Sequence, residues 1–160
     1  MLSIIHAENQ SQLTIIRELF LEYADQLGFE LDFQNFDRDI NELPGKYAPP
    51  DGRLFLALYD NRVAGCVALR RHSDDACEMK RLWVKPEFRG KRIGRALAEK
   101  LIDEARVIGY KKVVLDTIDT MVEAVALYKL LGFVETDAYY DNPIEGATYF
   151  VKDLTADSSG

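Results

Sequence analysis

Between Arg53 and Val84 the chain repeats one pattern three times: an apolar run with the two-residue alternation of a strand, closed by a short polar turn signal. The runs are RLFLALYD, RVAGCVALRRH and ACEMKRLWV, and the breaks are Asp60-Asn61 and Ser73-Asp74-Asp75. Connections this short join only antiparallel neighbours, so the middle of the chain is expected to be a meander. The period then changes. IGRALAEKLIDEARVIG puts Ile93, Leu97, Leu101 and Ala105 at four-residue steps, with Ala98 and Ile102 beside them, and Gly109 stands where a left-handed helix cap belongs. A meander followed by an amphipathic helix makes the class α/β.

The remaining elements fall on either side. LSIIHA reads as a strand, and Leu13, Ile16, Phe20, Tyr23, Ala24 and Leu27 form one helical stripe closed by Gly28. A second helix is expected over DFQNFDRDINELPG, ended by Pro44-Gly45. Downstream come the strand KKVVLDT and the helix TMVEAVALYKLLG, with Thr120 and Glu123 in capping-box spacing. Two more strands, FVETDAYY and ATYFVKDL, flank the loop DNPIEG. The expectation is therefore a mixed, mainly antiparallel sheet of seven strands with helices on both faces, in a single domain over residues 1–154. The tail 155–160 is small and polar enough to fray.

Composition narrows what such a domain does. Of 160 residues, 48% are apolar and 29% charged, enough for an ordinary core. No apolar run approaches the roughly 20 residues needed to cross a bilayer, and the N-terminus lacks a signal-peptide layout, so a cytoplasmic location away from membranes is expected. Cys66 and Cys77 sit in strand-like runs without ligand spacing, and His6 and His72 are isolated, so no metal is expected. The formal charge of −7 argues against broad nucleic-acid binding. The oligomeric state is left open, a homodimer included.

Against that acidic background, RLWVKPEFRGKRIGRALAEKL gathers Arg81, Lys85, Arg89, Lys91, Arg92, Arg95 and Lys100. Part of this charge falls at a helix start, where cations are disfavoured by roughly 0.3–1 kcal/mol each. The first amides of a helix also lack carbonyl partners. Together with Gly90 and Gly94, which allow close approach of backbone, the arrangement reads as a site for a small polyanion such as a pyrophosphate. The spacing is neither that of a Walker A loop nor that of a GxGxxG loop.

The segment Arg89, Gly90, Lys91, Arg92, Ile93, Gly94 resembles motif A of the GCN5-related N-acetyltransferase superfamily. That motif has Arg or Gln, two free positions, a glycine, a free position, and Gly or Ala. Arg92 stands at the glycine. EMKRLWVKPEFRGKRIGRAL, LDT and ALYKLLGF follow the family's order, and YYDNPIEGA resembles the C-terminal segment of a small bacterial subgroup, so the resemblance covers nearly the whole chain.

The resemblance implies N-acetyl transfer from acetyl-CoA, the co-substrate, to a primary amine on a small molecule or a protein, by direct transfer in a ternary complex. It implies that backbone at Leu82, Trp83 and Val84 meets the pantetheine arm, that backbone near Trp83 stabilises the oxyanion, and that the loop from Arg89 through Gly90, Lys91, Arg92, Ile93 and Gly94 to Arg95 holds the pyrophosphate. A non-catalytic acyl-CoA-binding or sensing domain is the alternative.

Acetylation needs a neutral amine and a proton for the leaving thiolate. Strand alternation puts Glu78, Lys80, Leu82 and Val84 on one face and Cys77, Met79, Arg81 and Trp83 on the other. Glu78 is the candidate base, directly or through water; its alternative is an ion pair with Lys80. The resemblance makes Tyr128 the candidate acid, though its place on an inward helical stripe suits a core residue equally. Thr117 and Asp119 are candidate cofactor contacts or turn residues. Phe29, Phe33, Phe36, Tyr47, Tyr139 and Tyr140, with Glu30, Asp32, Asp37 and Asp39 nearby, line either an acceptor pocket or the core and a solvated helix face.

Overall fold

The computed structural model describes residues 1–27, 40–118, 121–139 and 146–155. Seven strands form one sheet: β1 (Leu2–His6), β2 (Arg53–Tyr59), β3 (Arg62–Arg71), β4 (Ala76–Val84), β5 (Lys112–Ile118), β6 (Val134–Thr136) and β7 (Ala147–Asp153). Their spatial order is β1-β2-β3-β4-β5-β7-β6. Every neighbouring pair is antiparallel except β4 with β5. That parallel pair is bridged by helix α2 (Ile93–Ile108), as a parallel connection requires.

Helix α1 (Gln10–Leu27) begins at a reciprocal cap: Asn9 Oδ1 accepts the Gln12 amide at 2.8 Å, and Gln12 Oε1 accepts the Asn9 amide at 3.2 Å. It buries Ile16, Leu19 and Phe20 against Tyr47, Leu54, Leu56, Cys66, Ala68 and Trp83 on one face of the sheet. The opposite face packs Phe55, Val67, Leu69, Cys77, Met79 and Leu115 against Leu97, Leu101 and Ala105 of α2. Helix α3 (Val122–Leu130) joins that second core through Tyr128. Gly109 closes α2 at φ 112°, with its own amide and that of Tyr110 both donating to Ala105 O. The expected α/β class and helices on both faces are what the structure has.

Two expectations change, and a third lies mostly outside the described residues. The strand read over FVETDAYY is paired only from Val134 to Thr136. The second helix lies mostly outside the described residues; Ile40 and Asn41 are helical, and a single 3-10 turn covers Gly45–Tyr47. The alternation along β4 is broken. Cys66 pairs with Trp83 but Ala68 pairs with Lys80, so β4 carries one extra residue, and Arg81 there takes φ 59°. That bulge reverses the faces beyond it: Leu82 and Val84 pack on the α2-side core with Cys77 and Met79, while Trp83 joins the α1-side core. Glu78 therefore does not share a face with Leu82 and Val84.

The bulge is held by a close approach of β3. Gly65 pairs with Val84, and a Cβ at Gly65 would run into the Trp83 carbonyl oxygen. Gly65→Ala must displace backbone, and a loss of roughly 1–3 kcal/mol is expected. A urea melt checks it: an unchanged midpoint would mean that β3 and β4 separate without penalty.

Candidate active site

Strands β4 and β5 pair only through Ala76↔Lys112, Cys77↔Val113 and Glu78↔Val114. Past that point β4 runs on to Val84 and β5 to Ile118 without pairing to each other. A cavity of about 660 Å³ lies where they part. Leu82, Trp83 and Val84 form one wall, Ile118, Met121, Val122 and Leu127 another, and Gln26 of α1 reaches in. The loop before α2 adds Phe88, Arg89, Gly90, Arg92, Ile93 and Gly94, and Glu123 and Ala124 complete the lining.

That loop is built for its place. The Lys85 amide donates to Ala64 O at 2.8 Å, a 3-10 turn over Pro86–Phe88 follows, and Phe88 anchors it in the core. Gly90 then takes φ 84°, a conformation natural to glycine. Arg92 caps α2 in the left-handed region, φ 62° and ψ 25°, which costs a non-glycine residue roughly 1–2 kcal/mol. The first helical amide to find a partner is that of Ala96, donating to Arg92 O at 3.1 Å. The amides of Ile93, Gly94 and Arg95 are the orphan donors of a helix start. A Cβ on Gly94 would come no nearer than 3.6 Å to its neighbours, so this glycine leaves room on the cavity side rather than relieving a clash.

The cations divide. Arg89 lies over the Trp83 ring, 4.9 Å from its centroid, and its Nε donates to Val84 O at 3.2 Å. Lys91 sits over Tyr59 at 5.2 Å, and Arg95 Nε pairs with Glu99 Oε2 at 3.6 Å; neither lines the cavity. Arg92 does, and it makes no ion pair among the described residues. Glu22, unremarked in the sequence, ties α1 to the mouth: its carboxylate accepts from Trp83 Nε1 at 3.2 Å and from Lys85 Nζ at 2.7 Å.

Glu78 lies at the closed end of the gap, only 2% exposed. Oε1 accepts from Arg70 Nε at 2.9 Å and Oε2 from the Tyr139 hydroxyl at 2.7 Å. Burial alone would raise its pKa, but Lys80, the Tyr139 hydrogen bond and Arg70 together hold it below the ordinary carboxylate value. The carboxylate is thus ion-paired, with Arg70 rather than with Lys80. Tyr139 also meets the rings of His72, at 4.9 Å, and Tyr149, at 5.3 Å. The positions Phe29, Glu30, Asp32, Phe33, Phe36, Asp37, Asp39, Asp119 and Tyr140 lie outside the described residues. Tyr47 belongs to the α1-side core.

Tyr128 is buried against Phe133 and Phe150, yet its phenol feels Tyr23 and Asp116 from the other side of the sheet. Burial first, then those two groups, push its pKa upward. Thr117 donates to Met121 Sδ at 3.6 Å, so it holds the segment entering α3 and does not line the cavity. Glu78 and Tyr128 do not line it either. Cys66 and Cys77 are buried, and burial pushes both thiols up, Cys77 to about 12. Among the described residues no three His, Cys, Asp or Glu side chains gather to hold a metal ion. No described helix is long and apolar enough to cross a membrane.

Comparison with known proteins places this geometry. An uncharacterized N-acetyltransferase of Schizosaccharomyces pombe is 39% identical over 150 residues, covering 92% of each chain. The crystal structure of an acetyltransferase from Streptococcus agalactiae superposes with a TM-score of 0.77 at 26% identity, covering 95% of this chain and 98% of that one. The Salmonella typhimurium protein yncA, solved with its cofactor acetyl-CoA, shares the fold at 20% identity with a TM-score of 0.67, covering 96% of this chain and 94% of that one. A family model for N-acetyl-transferring enzymes matches residues 13–133, a span that takes in the parted strands, the loop and α3, and the chain belongs to the acetyltransferase (GNAT) family.

Proposed function

We propose that the protein moves an acetyl group from acetyl-CoA to a primary amine, with both substrates bound together. The observation that carries this is the parting of β4 from β5 beside a helix start whose amides of Ile93, Gly94 and Arg95 are orphaned. The residues present fit the donor. A pyrophosphate is matched by those amides, by the Gly90 turn and by the Arg92 guanidinium; Lys91 and Arg95, held elsewhere, add only field. Pantetheine amides are matched by the free edge of β4 at Leu82, Trp83 and Val84, provided Arg89 releases Val84 O. Acetyl-CoA supplies an activated acyl carbon there.

The chain's own groups supply the rest. Transfer forms a carbon–nitrogen bond and breaks a carbon–sulfur bond; one proton leaves the amine and one is taken by the thiolate. Glu78 is the proton acceptor, and it works through water: strand rise alone puts it about 13 Å from Leu82. Tyr128, kept protonated by burial, is the donor toward the thiolate. Backbone N–H near Trp83 meets the negative charge that develops on the acyl oxygen. Neither thiol is readily ionised, which favours direct transfer over an acyl-cysteine.

Thiol release from acetyl-CoA across a broad panel of amines and peptides tests the reading. Background release with intact CoA binding would leave a non-catalytic acyl-CoA-binding domain in its place. Glu78→Gln is expected to lower kcat by roughly 10²–10⁴-fold with little change in the KM for acetyl-CoA; a full rate at every pH would remove Glu78 from the mechanism.

Because the Tyr128 phenol is raised, the wild-type rate should show no alkaline decline near pH 10, where an ordinary tyrosine deprotonates. A fall-off there, absent from Tyr128→Phe, would contradict that environment. Arg92→Gly relieves a left-handed residue but loosens the unfolded chain, so stability should move by less than about 1 kcal/mol. The KM for acetyl-CoA should still rise roughly tenfold, and an unchanged KM would mean that the guanidinium does not touch phosphate.

A further inference from the structure

The transfer reading assigns no role to three charged residues next to the gap. Lys80 and Arg81 stand on β4 just past the last residue paired to β5, and Asp116 stands on β5 two residues past its own last partner. Arg70, next to them on β3, is committed to Glu78 at 2.9 Å. Among the described residues here, Lys80, Arg81 and Arg70 stand beside Glu78 and Asp116.

Lys80 is the informative member. Its side chain is half-buried, and its ammonium makes no hydrogen bond or ion pair within 4.0 Å among the described residues. Glu78 and Asp116 act on it from farther off, while Arg81 and Arg70 oppose its charge. Burial weighs most against its ammonium, Arg81 and Arg70 add to that cost, and Glu78 and Asp116 offset part of it from a distance, so an anion in direct contact would be stabilised. Arg81, 3% exposed, lies over the rings of Phe20 and Tyr23 at 5.8 and 5.9 Å, which holds its guanidinium on the α1 side of the sheet. The carboxylate of Glu78, which receives the proton, shares the face of β4 that carries Lys80 and lies one alternation away from it. Lys80 stands between Glu78 and Leu82, so an acceptor that anchors a carboxylate on Lys80 can turn its amine toward the acyl carbon near Trp83, with water carrying the proton back to Glu78.

We propose that Lys80, with Arg81 beside it, binds a carboxylate carried by the acceptor, which makes the acceptor a small amino acid rather than a simple amine, a polyamine or a peptide N-terminus. This rests on the transferase reading above. A peptide N-terminus has its α-carboxyl locked in an amide, and a polyamine would add positive charge to a site that already has an excess.

The test uses the intact protein, acetyl-CoA and free amino acids, each paired with its own carboxamide, methyl ester and decarboxylated amine. The free acid should be preferred in kcat/KM by tenfold or more over all three. Lys80→Gln should raise the KM for the free acid about tenfold, leave the KM for acetyl-CoA within twofold, and erase the preference. Lys80→Glu should reverse it toward the decarboxylated amine. A residue that only supports the fold would lower both members of a pair together and leave their ratio unchanged. Equal or faster turnover of the esters and amides by the wild-type protein overturns this inference alone. Absence of acetylation across the panel with CoA still bound overturns the transferase reading, and this inference with it.

Discussion

Everything distinctive about this molecule follows from two strands that stop pairing. Backbone N–H and C=O groups are obligatory hydrogen-bonding groups, and a strand edge left without a neighbour inside a sheet is costly unless something else satisfies it. After Glu78 and Val114 that neighbour is gone, and β4 continues to Val84 with its free edge on a cavity of about 660 Å³. The bulge at Arg81 then turns the strand, so that Leu82 and Val84 seal the α2-side core while Trp83 locks into the α1-side core. Glu22 fastens that arrangement from α1 by accepting from both Trp83 and Lys85. The rest of the sheet is pinned on both sides of the opening, which keeps it open.

The cations around α2 illustrate how charge in one stretch of sequence is sorted by structure. Seven basic residues lie between Arg81 and Lys100, and a helix start repels them. Five of them find local relief: Lys91 over Tyr59, Arg89 over Trp83, Lys100 over Phe55, Arg95 beside Glu99 and Lys85 on Glu22. Arg81 is turned inward by the bulge. Arg92 alone combines an unfavourable backbone, a place at the helix cap and a side chain on the cavity without an ion pair among the described residues. The density of charge in the sequence signals an anion, but on the proposed reading the contact itself narrows to one guanidinium and a row of amides.

Much of the fold was legible because it is local. Two-residue alternation located β2, β3 and β4, four-residue steps located α2, and Gly109 marked its end. The bulge was not legible, because a left-handed arginine carries none of the Gly or Asn signals that advertise such a position. One hidden residue was enough to misassign every face after it. Glu78 was legible as a strand carboxylate opposite a gap, but its governing partners are Arg70 and Tyr139, the latter 61 residues away, and no spacing rule reaches that far. Tyr128 was read as both inward and polar-tipped, and it is both: a core ring whose hydroxyl feels the opposite face of the sheet.

The depressed pKa of Glu78 looks at first like a defect in a base, and the magnitudes show why it is tolerable. An ordinary lysine-like amine and an ordinary glutamate differ by roughly 6 pKa units, so moving the proton between them is uphill by roughly 8 kcal/mol. Turnover at ordinary enzymatic rates leaves a total barrier of roughly 13–17 kcal/mol. The proton step between ordinary groups therefore fits beneath the barrier, and the depression of the carboxylate narrows that margin. What the site cannot lose is the position of the charge. Arg70 and Tyr139 each hold one carboxylate oxygen, fixing the group while keeping it ionised at the end of the gap where an ammonium would arrive. On the proposed mechanism, basicity is given up for placement, and water would carry the proton the remaining distance.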